Sequence, residues 1–192
     1  MISDEIFRVL NAVYLRKMAN VEAISECSGL KADAARTLVE GAVGKSLLLD
    51  MGGQYMLPED GTRAVLEYYD KTYAQERQNQ ELVAWYDRFE TINTQFLGLV
   101  SAWQSEQGGD EGTLGKLTRS VERLIKALPK AVVFVPRYQV YADRFAAALA
   151  KVDQGDHSYV SSPTTDSIHN VWFEFHEDIL AVLGKPRDTV EK

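Results

Sequence analysis

The stretch VEAISECSGLKADAARTLVEGAVGKSLLLDMGGQYMLPEDGTRAV, residues 21–65, shifts its pattern repeatedly over a short distance. Asn20, just before it, is suited to cap a short helix over Val21–Cys27, because its side-chain oxygen can accept an orphan first-turn N–H. Gly29 supplies a turn, and Leu30 leads into a helix over Ala32–Val43 with Ala35, Val39 and Ala42 inward. Gly44 ends that helix. Leu47-Leu48-Leu49 then reads as a strand, Met51-Gly52-Gly53 as a tight turn and Tyr55-Met56-Leu57 as the return strand. Pro58-Glu59-Asp60-Gly61 closes the hairpin, and a helix resumes near Thr62. Upstream, Ser3 caps a first helix whose Asp4 and Glu5 oppose the dipole. Ile6, Val9, Leu10, Val13 and Tyr14 form its apolar stripe.

Helix, short helix, turn, helix, hairpin and helix is the order of a winged helix-turn-helix domain. Residues 21–65 resemble the DNA-binding region of MarR-like bacterial regulators, down to the Tyr-x-Leu strand with a glycine shortly after it. The resemblance lies in spacing more than in identity and covers the N-terminal third only. Lys31 stands where such families place a Ser or Thr cap, Ser46 where a Gly starts the wing strand, and Pro58 where a Thr follows Tyr-x-Leu. The resemblance implies that the third helix enters the major groove of double-stranded DNA while the hairpin touches the backbone. Lys31, Ala32, Arg36, Thr37 and Gln54 would then make the contacts, with Arg36 reading a guanine and Thr37 a phosphate or a thymine methyl.

Charge opposes this expectation. The chain has 21 Lys plus Arg and 28 Asp plus Glu, a net −7, which excludes a polyanion binder that is basic over its whole surface. Residues 1–70 carry seven cations and eleven acids, a net −4. Asp33 and Glu40 share the exposed face of the third helix, and Asp50–Gln54 at the wing tip contain no Lys or Arg. Phosphate neutralisation supplies most non-specific DNA affinity. A winged helix used for docking protein is therefore the competing expectation.

Beyond residue 75 the pattern is helical. Leu82, Trp85, Phe89, Ile92, Phe96, Leu99 and Trp103 alternate at three and four residues, a seam on a helix over about 79–104. Leu114, Leu117, Val121, Leu124 and Leu128 repeat the alternation on a second helix ending before Pro129, with a turn at Gly108-Gly109 between the two. A third helix spans about 137–152, and a fourth follows Pro163 with a cap at Thr164 or Thr165. The polar run Asp70–Gln80 has no Gly or Pro and reads as a solvated helix. Trp85, Phe89, Tyr141, Phe145 and Trp172 are candidates for an apolar effector pocket in the bundle, with core packing as the simpler alternative. Lys116, Arg119, Arg123, Lys126 and Lys130 form a basic stripe, read as lying roughly opposite the Leu seam. It is either a solvated face or a docking stripe for an acidic partner or nucleic-acid backbone.

Chemistry-bearing residues are sparse. No nucleophile elbow, phosphate-binding glycine loop or dinucleotide fingerprint occurs, so no enzymatic activity is expected. GGDEG at 108–112 matches a cyclase signature in letters only, because it joins two helices. Asp166, His169 and His176 are the weak candidates for a divalent metal, and no cofactor is expected. The single cysteine, Cys27, reads as a small buried residue. The N-terminus lacks a signal-peptide pattern, and no apolar run is long enough to span a membrane, so the chain is read as cytoplasmic with no membrane partner. The expectation is a mainly α protein. A winged helix-turn-helix domain over residues 1–75 precedes an antiparallel four-helix bundle over 76–192. Its expected role is a homodimeric DNA-binding regulator, or else a non-enzymatic accessory protein that docks through its winged helix.

Overall fold

A computed structural model describes residues 1–105 and 110–186. The chain is mainly helical and divides into two compact units. One comprises Met1–Arg77 and the segment from Glu177 onward; the other comprises Gln78–His176. The second unit is thus inserted in sequence into the first. Among the described residues, no helix is long and apolar enough to cross a membrane.

The first unit contains α1 (Asp4–Arg16), α2 (Val21–Ser28), α3 (Ala32–Gly44), β1 (Leu49–Asp50), β2 (Tyr55–Met56) and α4 (Glu59–Thr72). Ser3 accepts the Ile6 N–H and Asn20 accepts the Ala23 N–H, so the two side-chain caps fix where α1 and α2 begin. Gly29, left-handed at φ 71°, stops α2 and sends its N–H to the Ser25 carbonyl. The hairpin is antiparallel with Leu49 opposite Met56 and Asp50 opposite Tyr55. Gly52 and Gly53 both have positive φ, the requirement of a type I′ turn, and Gly53 N–H donates to the Asp50 carboxylate. Ala19 adds an antiparallel bridge to Tyr55, with each N–H donating to the other's carbonyl. Phe7 stacks on Tyr68 at 3.9 Å and meets Tyr69 edge-on at 5.1 Å, which binds α1 to α4. Burial, and then the Asp4 carboxylate beside it, push the Tyr68 phenol up to about 12.

The second unit holds α5 (Gln80–Ser105), α6 (Glu111–Val132), α7 (Gln139–Asp153), the short α8 (Ser158–Ser161) and α9 (Ile168–Leu183) up to His176. Helix α5 packs on α6, and α6 on α7. The face that α5 buries is rotated from the seam expected above. Leu82, Trp85, Phe89, Phe96 and Trp103 are buried, but Asn93 and Val100 take the inward places expected for Ile92 and Leu99. Those two are half-buried. The inward Asn93 is satisfied there, its Oδ1 accepting the buried Trp172 indole N–H at 2.8 Å.

Other sequence expectations also change. Helix α6 runs past Pro129 to Val132, since one lost backbone donor near a helix end does not stop a final turn. Residues 70–80 do not form one helix; α4 ends at Thr72 and a separate 3-10 turn covers Glu76–Gln78. Helix α9 starts at Ile168, after the expected Thr164 or Thr165 cap. The Gly108-Gly109 turn lies outside the described residues.

Two backbone positions test these elements. Ser46 sits at φ 57°, where only glycine is free of strain. Ser46→Gly should raise stability by about 0.5–1 kcal/mol, the left-handed penalty less the added entropy of glycine. A Cβ on Gly61 would lie 2.2 Å from the Leu47 carbonyl oxygen, and both are backbone-fixed. Gly61→Ala should cost about 1–3 kcal/mol. Urea melts of both variants would show opposite shifts in midpoint.

Candidate functional site

Helix α3 and the hairpin form the surface that sequence reasoning singled out. Lys31, Ala32, Arg36 and Thr37 are exposed on α3, and Gln54 is exposed at the hairpin turn. Lys31 occupies the N-cap position of α3 without making a side-chain cap bond, as expected of a lysine there. Thr37 Oγ1 donates back to the Asp33 carbonyl at 3.1 Å. Arg36 lies 3.8 Å from Glu22 across the α2–α3 turn, a loose and exposed pair that contributes little stability.

Tyr55, at the base of the hairpin, reports the local field. Burial raises its pKa most, and the carboxylates of Asp50, Glu40 and Glu22 raise it further. Arg36 is the group that pulls it down. Arg36 shares the exposed surface of α3 with Asp33 and Glu40 and lies loosely beside Glu22.

The five aromatic candidates are gathered in the second unit, and two of them, Trp85 and Phe89, also line a surface hollow. Trp85, Phe89, Tyr141, Phe145 and Trp172 are all buried in the second unit. Trp85 and Phe89 stack at 5.8 Å, Phe89 and Phe145 each lie within 6 Å of Trp172, and Phe175 meets Tyr141 at 5.2 Å. Phe96, absent from the candidate set, stacks on Trp172 at 3.8 Å. Ring-to-ring spacings this short give the cluster the packing of a core. Its size and periodicity were legible, whereas which rings meet was not.

Nor does the structure assemble Asp166, His169 and His176 into a ligand set. The Asp166 carboxylate is gripped by Arg144 through Nε at 2.9 Å and a terminal nitrogen at 2.6 Å. The same guanidinium bonds the buried Glu174 at 2.6 Å. This two-carboxylate clamp joins α7 to α9 and its preceding loop, and sequence reasoning missed it because the partners are 22 and 30 residues from Arg144. His176 Nε2 lies 3.1 Å from Glu90. Burial lowers the pKa of His169 below its ordinary value. Among the described residues, no cluster of three or more His, Cys, Asp or Glu could hold a metal ion. Cys27 is buried in α2.

Comparison with protein-family models, with curated proteins and with solved structures gives no match.

Two measurements probe these groups. Arg144→Met should destabilise the chain by about 3–5 kcal/mol, because it leaves Glu174 buried without its counter-charge. Adding Glu174→Gln and Asp166→Asn should recover part of that loss in a urea melt. For His169, folding disfavours the proton that the unfolded chain accepts near pH 6.5. Its contribution is therefore present above that pH and is lost as pH falls below it. The stability difference between wild type and His169→Asn should shrink or change sign between about pH 7.5 and 5.5.

Proposed function

We propose that this chain is a non-enzymatic protein-binding adaptor whose first unit is a winged-helix module used to dock protein. The observation that carries the reading is the acidic setting of Arg36. Glu22 lies 3.8 Å from Arg36, Asp33 and Glu40 are exposed on the same helix, and the exposed tip from Met51 to Gln54 has no cation. A DNA-reading helix at this place would have to overcome those carboxylates with Lys31 and Arg36 alone. Two phosphate contacts give a salt slope of only about −2 per copy, far below that of strong DNA binders. The buried ionic groups of the second unit support a structural role, since Arg144 is engaged with Asp166 and Glu174.

A second reading keeps the DNA-binding regulator. It is favoured by the order of α1, α2, α3, hairpin and α4, and by the Ala19–Tyr55 bridge, which gives the hairpin a third backbone partner. Under it, Arg36 and Thr37 contact bases and two copies pool their faces on one palindromic site.

Retention of genomic fragments at about 50 and 200 mM salt separates the two. The adaptor reading expects no selective retention at either salt. Recovery of a few palindromic fragments, lost in Arg36→Ala, would establish the regulator instead. A photoreactive residue at position 37 of the whole chain gives the positive arm. Irradiation in the source cells should yield a protein adduct, and a DNA adduct would overturn the proposal.

A further inference from the structure

The second unit carries an open groove between α5 and α6. Three adjoining hollows of about 470, 300 and 350 Å³ run along it. The first two share Trp85, Arg88 and Lys130, and the last two share Arg123, so they form one continuous trough. Its floor is apolar: Trp85, Ile92, Leu99, Leu124 and Ala127. Ile92 and Leu99 are the residues that the rotation of α5 leaves half-exposed. At one end Val133, 75% exposed, continues the apolar surface.

The rim is cationic. Arg88 projects from α5, and Lys116, Arg119, Arg123, Lys126 and Lys130 project from α6; all six are exposed and line the trough. The stripe therefore borders the α5–α6 seam, where sequence periodicity had set it roughly opposite. None of the six takes part in an ion pair among the described residues. Glu81 stands at one end, and no acidic residue lines the middle or far hollow. Six exposed cations around an apolar trough, on a chain of net charge −7, concentrate positive potential where apolar surface is also exposed.

We infer that this trough binds an acidic amphipathic helix of a partner protein, a conclusion that rests on reading the chain as a protein binder. Charge complementarity selects the occupant. A single fatty-acid carboxylate would leave most of the cations unmatched. A nucleic-acid backbone would match the rim but bury the apolar floor against charged phosphates. A helix with leucines at every third or fourth position and flanking glutamates satisfies both. The fifteen residues from Lys116 to Lys130 rise about 21 Å along α6, the length of about four helical turns.

The test uses the whole chain and a fluorescent synthetic helix of about 18 residues, leucine on one face and glutamate on both flanks. A scrambled peptide of equal composition and a single-stranded DNA of equal charge are the controls. The expected result is saturable binding below about 0.1 mM, at least tenfold weaker for either control. Lys116→Glu/Arg123→Glu/Lys130→Glu should weaken it at least tenfold, as should Leu99→Gln, with circular dichroism confirming the fold. The triple variant changes exposed residues, so it stays informative if Leu99→Gln unfolds. No saturable binding, equal binding of the scrambled peptide, or tighter binding of the DNA would overturn the inference. Concentration-dependent dimerisation abolished by the triple variant would also overturn it, by assigning the trough to a second copy. Substitutions at Arg36 and Thr37 should leave this assay unchanged, so the trough and the α3 face succeed or fail separately.

Discussion

The first unit depends on one buried carboxylate. Asp178 is fully buried, and its Oδ1 lies 2.9 Å from the Tyr69 hydroxyl, while Asn11 Nδ2 donates to its Oδ2 at 3.4 Å. Tyr69 also approaches Asn11 Oδ1 at 2.8 Å. An isolated buried carboxylate costs several kcal/mol, so the site tolerates only a geometry in which these partners meet it. That requirement fixes the facing turns of α1 and α4 against the end of α9. The surrounding aromatic stack of Phe7, Tyr68 and Tyr69 supplies most of the apolar contact, but it would accept small rotations that the polar contacts do not.

The second unit solves the same problem twice. Trp172 buries a large ring and must satisfy its indole N–H, which it does on Asn93. Arg144 neutralises Glu174 and Asp166 at once. Both arrangements place a polar side chain where an apolar one would pack as easily, and both thereby specify which face of a helix turns inward. Asn93 faces inward on α5, and Ile92 and Leu99, beside it on the helix, line the apolar floor next to α6.

The local grammar of the first unit was legible in the chain. Ser3, Asn20, Gly29 and the Gly52-Gly53 pair act through their own backbone and nearest neighbours, so their residue type suffices. Even the departures were readable: Lys31 leaves its cap unmade and Ser46 carries the positive φ that glycine would ease. What was not legible depends on distant partners. Two interleaved series on α5 fit the same three-four alternation, and the partners of the buried one, such as Trp172, 79 residues from Asn93, leave no local signal. The Ala19–Tyr55 bridge is one residue long and leaves no alternation to detect. Asp166 looked like a metal ligand because its guanidinium partner, 22 residues back, had no sequence signal.

The insertion of one unit within the other also orders the chain in time. Asn11 and Tyr69 are made long before Asp178, which follows Tyr69 by 109 residues. At synthesis rates of about 5–20 residues per second, that separation is roughly 5–20 s. Through that interval α1 and α4 must coexist without the carboxylate that locks them, while the intervening helices can pair locally as they emerge. The nascent chain therefore makes all of its second unit before the segment that closes the first.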